Sequence, residues 1–181
     1  MLSKPTRGGY ARGMSEVSVR AARAGDAEAA ARVHVAGWRE TYRGLVDDDI
    51  LDDATLLPRR ERFWAEVLGG DPRYADVQAA VAEVDGEVVG VAMSRAADPY
   101  EEDASVEVNL TILYVLQAHH GTGLGAALLD AVVRPGSTAS LWVADPNPRA
   151  QAFYRKHRFD FDGAGRVEAG VRELRMARTA P

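Results

Sequence analysis

Three glycines stand at alternate positions in His120-Gly121-Thr122-Gly123-Leu124-Gly125. Glycine lets a backbone take positive φ and come close to a ligand. Where such a run opens a helix, its free N–H groups and the helix dipole suit a phosphate or pyrophosphate. Two other phosphate chemistries fit poorly. A dinucleotide fingerprint needs Gly-x-Gly-x-x-Gly early in a βαβ unit with an acid about 20 residues on, and this run has neither. A triphosphate-binding loop needs Lys-Ser or Lys-Thr after the glycines, so a phosphoryl or nucleotide enzyme is disfavoured. Further along stand Asn147 and Tyr154. A phenol is protonated at neutral pH and can donate to a departing anion; Tyr154 also reads as an aromatic packed beside Phe153. Asn147 suits a helix N-cap as well as a ligand contact. The adjacent imidazoles of His119 and His120 diverge and have no third partner, so no metal site is expected. His34, on an apolar helix face, reads as structural rather than catalytic.

These residues need a scaffold. Val17 to Ala21 alternates as a strand, and Gly25-Asp26 starts a helix over Ala27 to Tyr42. In that helix Ala30, Val33, His34, Gly37, Trp38 and Thr41 share one face. Leu45 to Asp53 is acidic and irregular. A second helix begins near Pro58 and runs to about Leu68. Val77 to Val84 and Glu87 to Arg95 form a hairpin about Asp85-Gly86, a dipeptide suited to two positive φ angles. Asp98 to Asp103 is a polar loop. Val106 to Val115 alternates strictly: Val106, Val108, Leu110, Ile112 and Tyr114 point one way, and Glu107, Asn109, Thr111, Leu113 and Val115 the other. The glycine run opens a helix to about Val133. Ala139 to Ala144 is a buried strand, and Asn147-Pro148 starts a helix to about His157. Phe159 to Phe161 and Val171 to Met176 close the chain. Trp64 and Trp142 read as core. The order predicts a single mixed α+β domain over residues 17–178.

Composition narrows the classes. The 181 residues carry 22 Lys and Arg against 27 Asp and Glu, which argues against a nucleic-acid binder. There is no cysteine, which excludes disulfides, thiol nucleophiles and thiolate metal sites. Residues 1–16 are polar, Gly-rich and basic, and read as a disordered arm. With no signal and no membrane span, the expected location is the cytoplasm.

The run from Leu113 through Leu129, with Gly121, Gly123 and Gly125, resembles the acetyl-CoA loop of the GNAT-type N-acyltransferases, whose pattern is Gln/Arg-x-x-Gly-x-Gly/Ala. His120 stands where Gln or Arg is usual. Asn147 to Phe159 resembles the family's Asn-x-x-Ala-x-x-Phe-Tyr-x-x-x-Gly-Phe, with Arg158 in place of the left-handed capping Gly, so an alternative cap is expected. Trp38 to Leu45 is similar to a segment common in one branch. The resemblance implies a mostly antiparallel sheet of six to seven strands flanked by about four helices. It implies acetyl-CoA as co-substrate, no metal, a small-molecule or peptide amine as acceptor, and a homodimer.

Residue by residue, it implies that the backbone of Leu113, Tyr114 and Val115 pairs with the pantetheine, with the Val115 N–H polarising the thioester carbonyl. It implies that His120, Gly121, Thr122, Gly123, Leu124, Gly125 and Ala126 hold the pyrophosphate, His120 through its backbone N–H. Tyr154 becomes the general acid, and Asn147 a cofactor contact or only a cap. Many relatives carry a basic Glu where this chain has Asn109, an amide that accepts no proton. Glu107, one pleat earlier, is then the expected base, through water. Trp38, Tyr42 and Asn109 fall on the acceptor wall, near the acids Asp47 to Asp49, Asp52 and Asp53. Asn109 also keeps a second class open, a non-catalytic acyl-CoA binder or sensor on the same fold.

Overall fold

The computed structural model describes residues 15–98, 105–168 and 170–179. Most of the 1–16 arm and of the Asp98–Asp103 loop lies outside them. The elements run β1 (Val17–Ala21), α1 (Ala27–Tyr42), α2 (Asp48–Leu51), α3 (Leu56–Leu68), β2 (Gln78–Val84), β3 (Glu87–Ala96), β4 (Val108–Val115), α4 (Leu124–Val132), β5 (Ala139–Ala144), α5 (Pro148–Lys156), β6 (Asp160–Glu168) and β7 (Val171–Arg178). The strands form one seven-stranded sheet in the order β1-β2-β3-β4-β5-β7-β6. All neighbours are antiparallel except β4 and β5. The expected α+β sheet is therefore present, flanked among the described residues by five helices, the additional one being the short α2 in the acidic stretch.

Helices cover both faces. On one side Ala30, Ala31 and Val33 of α1 and Trp64 and Val67 of α3 pack on Val81, Val91, Met93 and Ile112. On the other, Leu124, Leu128, Leu129 and Val132 of α4 pack on Ala82, Ala92, Leu110, Leu141 and Val143. The β2–β3 hairpin turns through Asp85 (φ 53°) and Gly86 (φ 83°), as its two residue types demand.

The alternation expected of β4 breaks. Met93 pairs with Ile112, but Ser94 pairs with Leu110, leaving Thr111 as a bulge whose hydroxyl donates to Met93 O at 3.1 Å. The bulge reverses the phase. Val108, Leu110, Leu113 and Val115 join the α4 side, while Ile112 and Tyr114 face α1 and α3. The closing strands are longer than expected, because β6 absorbs an irregularity between Phe161 and Gly165 and then pairs with β7 as far as Glu168.

The cap of α5 also differs from expectation. Arg158 itself takes the left-handed conformation, at φ 66°. Its N–H donates to Arg155 O, and the Phe159 N–H to Tyr154 O, both at 3.1 Å. That is a Schellman cap made without glycine.

Candidate active site

β4 and β5 pair only over Val108–Leu110 and Ala139–Leu141. Beyond Leu110 they splay, and among the described residues β4 keeps only β3 as a partner. The Leu116 N–H donates to Val89 O at 2.9 Å, so Gly90 and Val115 form a non-hydrogen-bonded pair. The N–H and C=O of Val115 therefore point away from β3 into the gap, and those of Leu113 share that phase. An extended ligand with amide groups can complete this edge as an added strand.

The gap opens into a cleft of about 1160 Å³. At one end lies the turn into α4. Gly121 (φ 78°) and Gly123 (φ 91°) hold left-handed conformations, and Gly123 is the N-cap. Among the described residues no backbone bond uses the N–H of Gly121, Thr122 or Gly123. Those of Leu124, Gly125 and Ala126 are the unpaired first-turn donors of α4. Together they form a crown of donors at a positive helix end, suited to a pyrophosphate.

The cleft walls hold most of the predicted residues and omit some. Tyr42, Asn109, Leu113, Tyr114, Val115, His120, Gly121, Gly123, Gly125, Ala126, Asn147 and Tyr154 line it. Trp38, Thr122, Leu124 and Glu107 do not. Trp38 packs at a tilt beside Tyr42, with ring centroids 5.6 Å apart. The Thr122 hydroxyl turns back to His119 O at 2.7 Å. Leu124 is core, leaving only its N–H for a ligand. Glu107 is exposed at the start of β4, and its N–H donates to Thr138 Oγ1 at 3.0 Å. The His120 N–H is not part of the donor crown, because it donates to Gln117 O at 3.1 Å. Instead the ring faces the gap, with Nε2 2.7 Å from Val115 O.

The acids Asp47 to Asp53 lie away from the cleft. Arg43 holds Asp48 and Asp52 at 2.8 Å, Arg59 holds Asp53 at 2.8 Å, and Asp47 caps α2. The cleft lining also includes Glu40, Tyr42, Asp76, Arg95, Trp142, Arg166 and Glu173. Trp142 is half-buried on the cleft face rather than core, while Trp64 is fully buried as expected. The Arg166 guanidinium lies 4.4 Å over the Trp142 ring and pairs with Glu173 at 2.8 Å. The sequence signal for Trp142 was its alternation with Leu141 and Val143, both core residues. Arg166 carries none, since it lies beyond the Phe159 to Phe161 strand expected from sequence, and Glu173, although inside the Val171 to Met176 strand, has nothing in its spacing that singles it out.

Three phenols meet in the cleft. Burial pushes the Tyr154 hydroxyl above its ordinary value, and Tyr42 adds to the shift. Tyr114 is pushed well above by burial, then by Tyr42 and Tyr154. Tyr42 is raised by burial and next by the charge of Glu173. All three stay protonated at neutral pH. Tyr154 is fixed by Phe153 at 5.3 Å and Phe159 at 5.9 Å. Asn147 caps α5, its Oδ1 accepting from the Ala150 N–H at 3.1 Å. The amide of Asn109 donates to Ser140 Oγ at 3.0 Å, bridging β4 and β5 where they still pair.

Comparison with known proteins agrees with this geometry. Residues 38–159 match the acetyltransferase (GNAT) family model. An uncharacterized N-acetyltransferase of Mycobacterium tuberculosis, Rv2669, is 38% identical over 127 residues, covering 66% of this chain and 71% of that protein. Rv2775 of the same organism, described as a probable N-acetyltransferase, is 27% identical over 151 residues, 82% of this chain and 83% of its own. The crystal structure of the PaiA N-acetyltransferase from Thermoplasma acidophilum with coenzyme A superposes with a TM-score of 0.72, covering 91% of this chain and 99% of that one at 16% identity. With the family model matching most of its length and the donor crown and open strand edge in place, the chain belongs to the GNAT family and is an acetyl-CoA-dependent N-acetyltransferase.

Proposed function

We propose that the chain transfers an acetyl group from acetyl-CoA to the primary amine of a small molecule or peptide, by direct attack in a ternary complex, with Tyr154 as general acid. The observation that carries this reading is the splayed β4 edge. It brings the Val115 N–H, the donor crown of α4 and the Tyr154 hydroxyl to one cleft. The amine lone pair attacks the thioester carbon while the Val115 N–H stabilises the developing oxyanion. The C–S bond then breaks, and the thiolate takes the Tyr154 proton. The new amide nitrogen loses its proton to a carboxylate. Glu107 reaches it only through water from outside the cleft, whereas Glu173 lines the cleft. Asn147 contacts the cofactor while capping its helix. The homodimer implied by resemblance belongs to the same reading, and sedimentation measures it.

The test is CoA release over a panel of amines, with acetyl-CoA binding followed by calorimetry. Amine-dependent release that falls about 100-fold in Tyr154→Phe supports the reading. Comparing Glu173→Gln with Glu107→Gln locates the base. No acyl-CoA binding overturns the reading, and binding without release on any amine supports a sensor instead.

A further inference from the structure

His120 stands where the family pattern has Gln or Arg, and its side chain faces the reacting segment of β4. The ring nitrogen Nε2 lies 2.7 Å from Val115 O, inside the β4–β5 gap. A carbonyl oxygen only accepts, so Nε2 carries the hydrogen. The backbone N–H of His120 is bound to Gln117 O, so the residue contributes nothing to the crown except by position. The crown begins at the next residue, Gly121. The segment is pinned from the other wall too. The Gln117 N–H donates to the Glu40 carboxylate at 3.1 Å, tying the connection to the last turn of α1.

The C=O that His120 holds belongs to the residue whose N–H faces the thioester carbonyl. Both groups of Val115 project into the gap from adjacent peptide planes hinged at its Cα, so a bond that holds the C=O plane restrains the neighbouring plane that carries the N–H. The same bond occupies an acceptor that an added strand would otherwise use. This leaves the Leu113 groups and the Val115 N–H open to the extended arm.

We propose that the His120 side chain is a positioning residue that ties the pyrophosphate loop to the Val115 peptide, so that seating the phosphates and aiming the oxyanion donor become one event. The proposal rests on the acetyl-transfer reading for its kinetic part and on the hydrogen bond alone for its spectroscopic part.

The test compares His120→Ala with His120→Gln, whose side-chain amide also donates. The alanine variant should lower kcat about tenfold, the scale of one lost hydrogen bond, with a smaller change in KM for acetyl-CoA. The glutamine variant should recover most of the loss. A rise in KM with kcat unchanged, or equal losses in both variants, would overturn the positioning role. Amide exchange and ring nitrogen spectra of the ligand-free protein give a readout free of turnover. His120 should appear as the Nε2–H tautomer. The Leu116 amide, which shares a peptide plane with the Val115 C=O and donates to Val89 O, should exchange faster in the alanine variant and not in the glutamine one. Unchanged exchange in a folded alanine variant would remove the tie even if no amine is ever acetylated. A wild type that releases no CoA, with the exchange result intact, would instead count against the acetyl-transfer reading.

Discussion

Trp64 Nε1 donates to His34 Nδ1 at 3.2 Å, joining α3 to α1 directly beneath the ring of Tyr114. His34 is 5% exposed, and burial, reinforced by the charge of Arg60, pushes its pKa down from 6.5 to about 3. The native state therefore excludes a proton that the unfolded chain takes up below 6.5. Stability is lost as pH falls from about 6.5, and the loss levels off near 3. At pH 5 it amounts to about 2 kcal/mol. Urea midpoints measured between these limits should fall more steeply for wild type than for His34→Gln, which does not titrate.

Gly37 sits in mid-helix, where alanine would ordinarily be worth about 1 kcal/mol. Here the added Cβ would stand 2.8 Å from Tyr114 Cβ. The clash outweighs the propensity, so Gly37→Ala should destabilise by about 1–2 kcal/mol. It should also lower activity, since Tyr114 lines the cleft. Gly25→Ala, which meets nothing within 4 Å, serves as the thermal-melt control.

The proposed mechanism uses Tyr154 as its acid, and burial raises its pKa above 10. Activity set by this group persists as pH rises and fails only beyond its ordinary range. The kcat profile of wild type should show no Tyr154 limb between about pH 8 and 10. Tyr154→Phe should lower the whole plateau rather than shift its edges.

Arg158 is exposed and left-handed, a conformation that costs a non-glycine residue about 1 kcal/mol. Arg158→Gly should raise Tm by about 2–4 °C, without change in kcat.

Arg158 also marks how far the sequence was readable. The missing glycine was visible, and an alternative cap was the natural inference. What a sequence does not display is that the Phe159 anchor, buried at 1% exposure, holds the arginine in the strained conformation. Strands, helices and the Asp85-Gly86 turn were legible because period and turn chemistry are local. The glycine turn into α4 was legible for the same reason, whereas Tyr154 stood out only through the resemblance carried by Asn147 to Phe159. The bulge at Thr111 was not, because no glycine or proline announces it, and it alone reverses which β4 residues face α1. The Trp142–Arg166–Glu173 wall was hidden because it assembles from three strands by pairing.

The splay of β4 from β5 has a thermodynamic consequence. A sheet with an open seam is an unfinished one, and its last strand arrives as cofactor. Any ligand that binds only the folded chain stabilises it by mass action, about 2.7 kcal/mol when present at a hundred times its Kd. The folding equilibrium of this protein is thereby tied to the concentration of acyl-CoA around it: scarcity leaves the seam to water, and abundance closes it.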